Sequence, residues 1–514
     1  MLEKVRLQPE TERVKDCAAL LGGLLFPFAF APFEIVALAY LSLALLFWGW
    51  YDATPLRASL RGFLFASAQF AFGLYWIYVC LHGYAGASAL SAFLFNAAAA
   101  IFLGLFLGVF SFLAAKIGTR SRATRLMLVY PSTWILSEWL RAWLEFPGCP
   151  WLQTGYSQIE SIPAGFGPVL GAYGVGFFTA FNAGAFLNCL EARGRARIAV
   201  LLLLASLWAV AALLQTISWT GPAGRTLKVA LLQGNIAQKL KWLPETKQQT
   251  LRWYIDTSRA HWDADLIIWP ETAVPISYHQ VLGLFAELGE EAARHGSDLL
   301  IGLPIDELDL KRSFNAMIAI GNAQGRYLKR HLVPFGEYMP LEPFSGLLAR
   351  YADFQLHVFS PGSDRQATMK AAGFPLAPSI CYESMFGQEM LASMPDAAYL
   401  VNITNDGWFG HSIALDQNLQ MARMRALETG RYMLRAGNTG LTAIISPRGH
   451  WVEVAPRFTA TVLTGEFQPM RGVTPYMLVG DYLILGFCVA SLLVVSIVQG
   501  CRRIGEPDLT PRRS

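Results

Sequence analysis

Eight stretches of this chain are apolar over lengths close to that of a bilayer crossing, and no other feature restricts the fold so strongly. They lie at roughly 17–33, 35–51, 61–81, 90–115, 126–145, 166–191, 197–216 and 477–498. A helix of about 20 apolar residues spans the hydrocarbon core, where only a helix or a closed barrel satisfies its own backbone. The first two stretches are short and divided by a turn near Pro32, so seven and nine spans stand beside eight as readings. Charged residues make up 15% of the chain, against about 25% in a soluble protein. The division is uneven: a membrane domain of about seven helices over 1–219, a water-facing domain over 220–475, and a last helix with a tail over 476–514.

Basic residues set the direction. Lys4, Arg6, Arg13 and Lys15 precede the first stretch, Arg57 and Arg61 separate the second from the third, and Lys116, Arg120, Arg122 and Arg125 follow the fourth. Arg193, Arg195 and Arg197 follow the sixth, and Arg502 and Arg503 the last, while the loops between are nearly free of them apart from Arg141. Cytoplasmic loops collect Lys and Arg, so both termini are expected in the cytoplasm and 220–475 outside it. The net charge of +4 then reports topology and suggests no nucleic-acid surface. A cleaved signal peptide is the competing reading of the N-terminus; the polar lead before residue 17 and the lack of a small-x-small cleavage site favour a retained helix.

Within 220–475, short apolar runs alternate with helix-length patterns, the mark of an α/β domain. Strands are expected at 226–232, 265–269, 298–302, 314–320, 376–380, 398–403 and 441–446, and helices near 245–262, 280–295, 385–393 and 415–429. The seven cysteines contain no CxxC pair and no metal-ligand spacing, so no metal or other cofactor is expected, and only Cys381 falls in this domain. Glu271 follows the run DLIIWP, Lys329 lies in GRYLKRHLVPFGEYMP, and Cys381 ends PLAPSI at a strand-to-helix turn. Carboxylate, amine and thiol suit one another chemically: a general base for the thiol proton, a cation for thiolate and oxyanion, and a nucleophile that holds an acyl group as a thioester. Singly each has an ordinary reading, Cys381 as a small core residue, Glu271 as a helix cap, and Lys329 as part of a basic cluster with Arg326, Arg330 and His331.

In order along the chain, WPET, YLKRHLVPFGEYMP, SICYES and NITNDGWFG resemble the nitrilase, or carbon-nitrogen hydrolase, superfamily and its Glu-Lys-Cys triad. The apolar spans, QGN at 233–235 and FPGCPWLQTGYSQ at 146–158 extend the likeness along the whole chain, to the membrane-embedded lipoprotein N-acyltransferases. The resemblance implies an αββα sandwich in the periplasm of a bacterial inner-membrane protein. It also implies transfer of an acyl chain from a phospholipid, typically phosphatidylethanolamine, to Cys381 and then to the α-amino group of a diacylglyceryl-cysteine lipoprotein. Glu271 matches the base, Lys329 the cationic stabiliser and Cys381 the nucleophile. Glu337 matches a further essential carboxylate, and Trp242, Tyr382 and Glu383 match positions around the nucleophile.

Glu337 can equally order the loop between Pro334 and Pro340, and Trp242 and Trp408 can pack as loop aromatics usually do. Cys149, among prolines and without a Glu-Lys setting, is the rival thiol. Segments 341–362 and 408–415 are richer in large apolar residues than solvated loops, which suggests a lid or a contact with the bilayer, with packing on the domain core as the alternative. Two other functions use the same features: a membrane-tethered amidase or nitrilase delivering its acyl group to water, and a transporter in which Glu138, Arg141 and Asp481 line a pathway.

Overall fold

A computed structural model describes residues 9–505 except 118, 120, 145, 147, 308–310 and 341–357. Helices occupy all eight apolar stretches: Pro9–Leu25, Ala37–Trp50, Pro55–Gly73 with Trp76–Tyr84 beyond a 46° bend, Ala89–Lys116, Tyr130–Trp143, Gly167–Glu191, Gly194–Thr216 and Tyr482–Gly505. Among the described residues, four are long and apolar enough to cross a membrane, and a fifth is if the bent pair is one span. The others fall short for local reasons. Glu10, Glu12, Arg13, Lys15 and Asp16 charge the first helix, which ends in a 3-10 turn at Phe26–Ala29, and Ala37–Trp50 has only 14 residues.

Small residues let these helices close on one another. A methyl group at Gly23 would strike the Phe65 carbonyl, and one at Gly184 the Leu126 carbonyl, the close backbone approach that lipid-embedded helices use in place of a hydrophobic drive. The basic loops gather at one end of the bundle, where Arg57 pairs with Asp16 at 2.7 Å, Arg125 with Asp52 at 3.2 Å and Arg122 with Glu191 at 2.6 Å. Arg61, fully buried, holds both Asp16 and Glu12. Glu138 and Arg141 bond to the protein's own chain. Glu138 Oε1 accepts from the Thr154 N–H and hydroxyl at 2.8 Å, and Arg141 donates to the carbonyls of Cys149 and Trp151, so together they brace the loop after their helix.

Among the described residues the second domain contains fourteen strands: β1 (Thr220–Pro222), β2 (Leu227–Gln233), β3 (Leu266–Ile268), β4 (Asp298–Glu307), β5 (Arg312–Ile320), β6 (Arg326–Leu328), β7 (Met369–Ala371), β8 (Phe374–Ile380), β9 (Tyr399–Thr404), β10 (Met433–Gly437), β11 (Ala443–Ile445), β12 (Trp451–Val454), β13 (Thr461–Phe467) and β14 (Met470–Gly472). They form two six-stranded sheets, β13-β2-β3-β4-β5-β6 and β12-β11-β10-β9-β8-β7, each with three parallel strands at its centre. Leu231, Ile268 and Leu300 of one sheet meet Ile380, Val401 and Leu434 of the other in a dry inner layer. Helices Pro244–Arg259 and Tyr278–His295 cover the outside of the first sheet, and Ala414–Thr429 covers the second. This is the expected αββα sandwich. A ribbon of β1 and β14, with Thr220 opposite Gly472, ties together the two places where the domain joins the helices.

Helix Ala414–Thr429 has almost no free face. Leu415, Leu419, Ala422 and Ala426 pack on the sheet, while Met421, Met424 and Leu427 join the membrane core beside Tyr156, Ile159 and Ala172. Its polar residues are spent on the helical block. Gln417 accepts from the Trp151 indole at 2.6 Å, Gln420 from the Ala31 N–H at 3.3 Å, and Glu428 from the Ala172 N–H at 2.7 Å and Arg425 at 2.9 Å. The sandwich is therefore clamped to the membrane domain through one helix buried on both sides.

Burial pushes the Glu428 carboxyl up to about 7, with Arg425 pulling it down. Removing one partner of a buried pair costs roughly 3–5 kcal/mol, so Arg425→Met is expected to lower the melting temperature of the purified protein. Losing Arg425 raises the Glu428 carboxyl further. A carboxyl raised on folding loses stability as pH climbs from its unfolded to its folded pKa, so the deficit is expected to be small near pH 5 and to grow toward pH 8. Thermal unfolding of both forms across that range checks the sign.

Candidate active site

Strand ends bring the candidate residues together. Glu271 follows β3 by way of Trp269 and Pro270, Lys329 follows β6, and both are buried with Glu337 at 6%, 1% and 8% exposure. The Lys329 ammonium lies 2.9 and 2.8 Å from the two Glu337 oxygens and 3.5 Å from Glu271 Oε1. Burial works against its charge, but Glu337 first and Glu271 second outweigh burial and hold it well above the usual lysine range. Glu337 does what a loop-ordering carboxylate and a lysine partner would each do, since it also accepts from the Val333 N–H at 2.9 Å.

Asn315, on β5, completes this cluster. Its amide donates to Glu271 Oε1 at 2.6 Å and to Glu337 Oε1 at 3.0 Å, and the Asn405 N–H donates to Glu271 Oε2 at 2.8 Å. Two carboxylates thus share one amide and one ammonium, which fixes both in orientation. The sequence reading did not single out Asn315; the signal was a lone amide inside the apolar run FNAMIAI.

Cys381 stands where β8 turns into the 3-10 helix Cys381–Met385, with φ of +53°, a left-handed conformation that a non-glycine residue keeps only when its surroundings impose it. They do so through Glu383. Its Oε2 accepts from the Ile380 N–H at 2.7 Å, and its Oε1 accepts from Arg330 N–H at 2.7 Å, His331 N–H at 3.1 Å and Tyr327 O–H at 2.9 Å. One carboxylate thereby fastens the Cys381 turn to the segment that carries Lys329. Parallel pairing of Ile380 with Ile403 sets Thr404 and Asn405 alongside Cys381. Behind the turn, Asn402 donates to the Cys381 carbonyl at 3.4 Å and the fully buried pair Arg435–Asp406 closes at 3.0 Å.

Burial pushes the Cys381 thiol up to about 12; Glu271 adds to the shift, and Lys329 opposes it. The expectation that Lys329 favours the thiolate holds in direction, but burial is the stronger effect, so the resting sulfur keeps its proton. Nucleophilic chemistry here needs a base that takes that proton as the sulfur attacks.

The remaining candidates lie around this core. The Tyr382 hydroxyl donates to the Gly148 carbonyl in the loop braced by Arg141, which joins the nucleophile turn to the helical block. Trp242 is half-buried with the Lys247 ammonium 5.4 Å over its ring, and Trp408 is 39% exposed. In the segment 408–415, Phe409 packs on Trp76 and Trp151, and Phe335 packs on Phe95 and Phe146, so the site borders the membrane domain. Residues 341–357 of the expected lid, with Phe344 and Phe354, lie outside the described residues.

Replacing Asn315 by Ala leaves two buried carboxylate oxygens short of a donor, at a cost of about 1–3 kcal/mol. If that cost falls on the reacting geometry, Asn315→Ala is expected to slow turnover about tenfold to hundredfold while the folded protein survives, as measured by initial rates and gel filtration.

Known families bear on both domains. Residues 22–185 match the apolipoprotein N-acyltransferase N-terminal domain, and residues 228–475 match the carbon-nitrogen hydrolase family. The apolipoprotein N-acyltransferase of Methylococcus capsulatus is 48% identical over 94% of this chain and 96% of its own length. Those of Coxiella burnetii and Pseudomonas paraeruginosa are 39% and 40% identical, over 93% and 89% of this chain and 98% and 91% of their own lengths. At that identity and coverage, with both domains matched, the chain belongs to the apolipoprotein N-acyltransferase family.

Proposed function

We propose that this membrane acyltransferase carries an acyl chain from a phospholipid, typically phosphatidylethanolamine, through a Cys381 thioester to the N-terminal amine of a diacylglyceryl-cysteine lipoprotein. In the first step Glu271 takes the thiol proton as sulfur attacks the ester carbonyl, and Lys329 faces the oxyanion that forms. Collapse expels the lipid alkoxide, which takes the proton from Glu271 and leaves as lysophospholipid. In the second step the lipoprotein amine attacks the thioester, Glu271 accepts its proton, and the sulfur departs and is reprotonated. Glu337 and Glu383 position Lys329 and the nucleophile turn, while Trp242, Tyr382 and Trp408 border the lipid.

The observation that carries this reading is a cysteine held in a left-handed turn beside a buried lysine shared by two carboxylates. Its setting explains why the acyl group need not go to water. The phenyl rings of Phe335, Phe95 and Phe146 press the site against lipid-facing helices. We further propose that 1–219 and 476–514 are the inner-membrane segments and that 220–475 lies in the periplasm. The ion-paired basic loops at one end of the bundle support a cytoplasmic location for that end and for both termini.

Incubated with phosphatidylethanolamine, the purified protein is expected to gain one acyl chain by intact mass spectrometry and to lose it to a diacylated lipopeptide. Cys381→Ala should gain none, and Glu271→Gln should acylate about 10²–10⁴-fold more slowly. Release of free fatty acid to water without transfer would mark a hydrolase instead. Topology is tested separately in a cysteine-free background. An impermeant thiol reagent on intact spheroplasts should label a cysteine placed at exposed Asp263 and spare one at exposed Asp52.

A further inference from the structure

Lys241 is buried to 2% exposure in the turn before helix Pro244–Arg259. Its Nζ donates to the main-chain carbonyl of Glu271 at 3.2 Å, and among the described residues no carboxylate oxygen pairs with it within 4 Å. Lysine is almost never buried without an ionic partner, because an unpaired charge loses its hydration. Nor is this one buried by accident of a loose loop. The segment before it is fastened to the same carboxylate: Gln238 accepts from the Asn405 side chain at 2.8 Å, and the Asn405 N–H donates to Glu271 Oε2. Asn438 meanwhile grips both the N–H and the carbonyl of Ile236 at 3.1 and 2.8 Å.

The charges of the cluster supply a reason. Among the groups bonded around Glu271, Glu271 and Glu337 bring two negative charges and Lys329 one positive, so Lys241 brings that sum to zero; further out, Asp406 has Arg435 as its partner and Glu383 has Arg330 beside it. When Glu271 takes the thiol proton, the negative charge moves to the carbonyl oxygen under attack, and the sum remains zero. Without Lys241 a dry site would carry one excess negative charge while trying to form an oxyanion, where low dielectric makes that repulsion strong. We propose that Lys241 is a second cation of the active site, a positioning residue that fixes Glu271 by its main chain and keeps the site neutral during acyl transfer. This rests on the triad roles proposed above.

Burial lowers the Lys241 ammonium to about 8, and Glu271, the charged group that bears on it, opposes the shift. Cys381 at about 12 and Lys329, held high, do not titrate there. The experiment is therefore the first half-reaction alone: acylation of Cys381 by phosphatidylethanolamine with no acceptor amine, timed by intact mass spectrometry from about pH 6 to 10. The wild-type rate is expected to fall as pH rises through about 8. Lys241→Met is expected to be about tenfold slower at neutral pH and to lack that fall, and Lys241→Arg to lack it while keeping more of the rate, because guanidinium does not deprotonate. A Lys241→Met rate and profile equal to wild type overturns the inference, as does a uniformly slower enzyme that keeps the fall. If Lys241→Met does not fold, the Arg variant decides: persistence of the fall overturns the inference. Wild-type protein that gains no acyl chain at any pH removes the triad reading and this one with it.

Discussion

A lysine sealed between two carboxylates is the constraint from which the catalytic domain is arranged. Lys329 is 1% exposed, and its charge persists only because Glu337 and Glu271 stand on either side of it. Each carboxylate then needs donors of its own, which come from Asn315 on β5, the Val333 N–H and the Asn405 N–H. Those donors lie on separate strands and loops of both sheets, so the two sheets cannot shift against each other without breaking the cluster. The rigidity that acyl transfer requires thus follows from satisfying one buried cation.

The sandwich is joined to the helices with similar completeness. Most helices that cover a sheet leave their outer face to water. Here Ala414–Thr429 uses that face to enter the membrane core, and its Gln417, Gln420 and Glu428 bond to the helical block. The Tyr382 hydroxyl adds a bond from the residue next to the nucleophile to the loop at Gly148. The Cys381 turn and the membrane domain therefore share one frame, which suits the transfer proposed above between two lipid-anchored substrates.

Much of this was legible in the sequence because it depends on local pattern. The apolar stretches became helices, and the runs around DLIIW, PLAPSI and AYLVNI became β3, β8 and β9 within a residue or two. Glu271, Lys329 and Cys381 stood out because polar residues ending apolar strands are unusual, and Glu337 through the family resemblance of PFGEYMP. What escaped was whatever depends on distant partners. β10 was hidden because Arg435 interrupts it, and that charge is tolerable only opposite Asp406, 29 residues away. Asn315 and Lys241 looked like ordinary strand and loop residues until Glu271, folded back from elsewhere in the chain, gave each a neighbour. Glu383 was read only as a position around Cys381; its four hydrogen bonds, to the protein's own backbone and Tyr327, depend on partners distant in the chain.

The β1–β14 ribbon also governs how such a molecule is made. Residues 220–222 leave the ribosome long before residues 470–472, which must lie antiparallel to them. Until the later strand arrives, the sandwich is joined to the helices through β1 alone and lacks its second tie. Helices Pro475–Val479 and Tyr482–Gly505 follow that strand closely, so under the proposed topology the closing of the ribbon and the seating of the C-terminal helix both fall at the end of synthesis. A chain cut short before residue 470 would carry a sandwich without its closing strand.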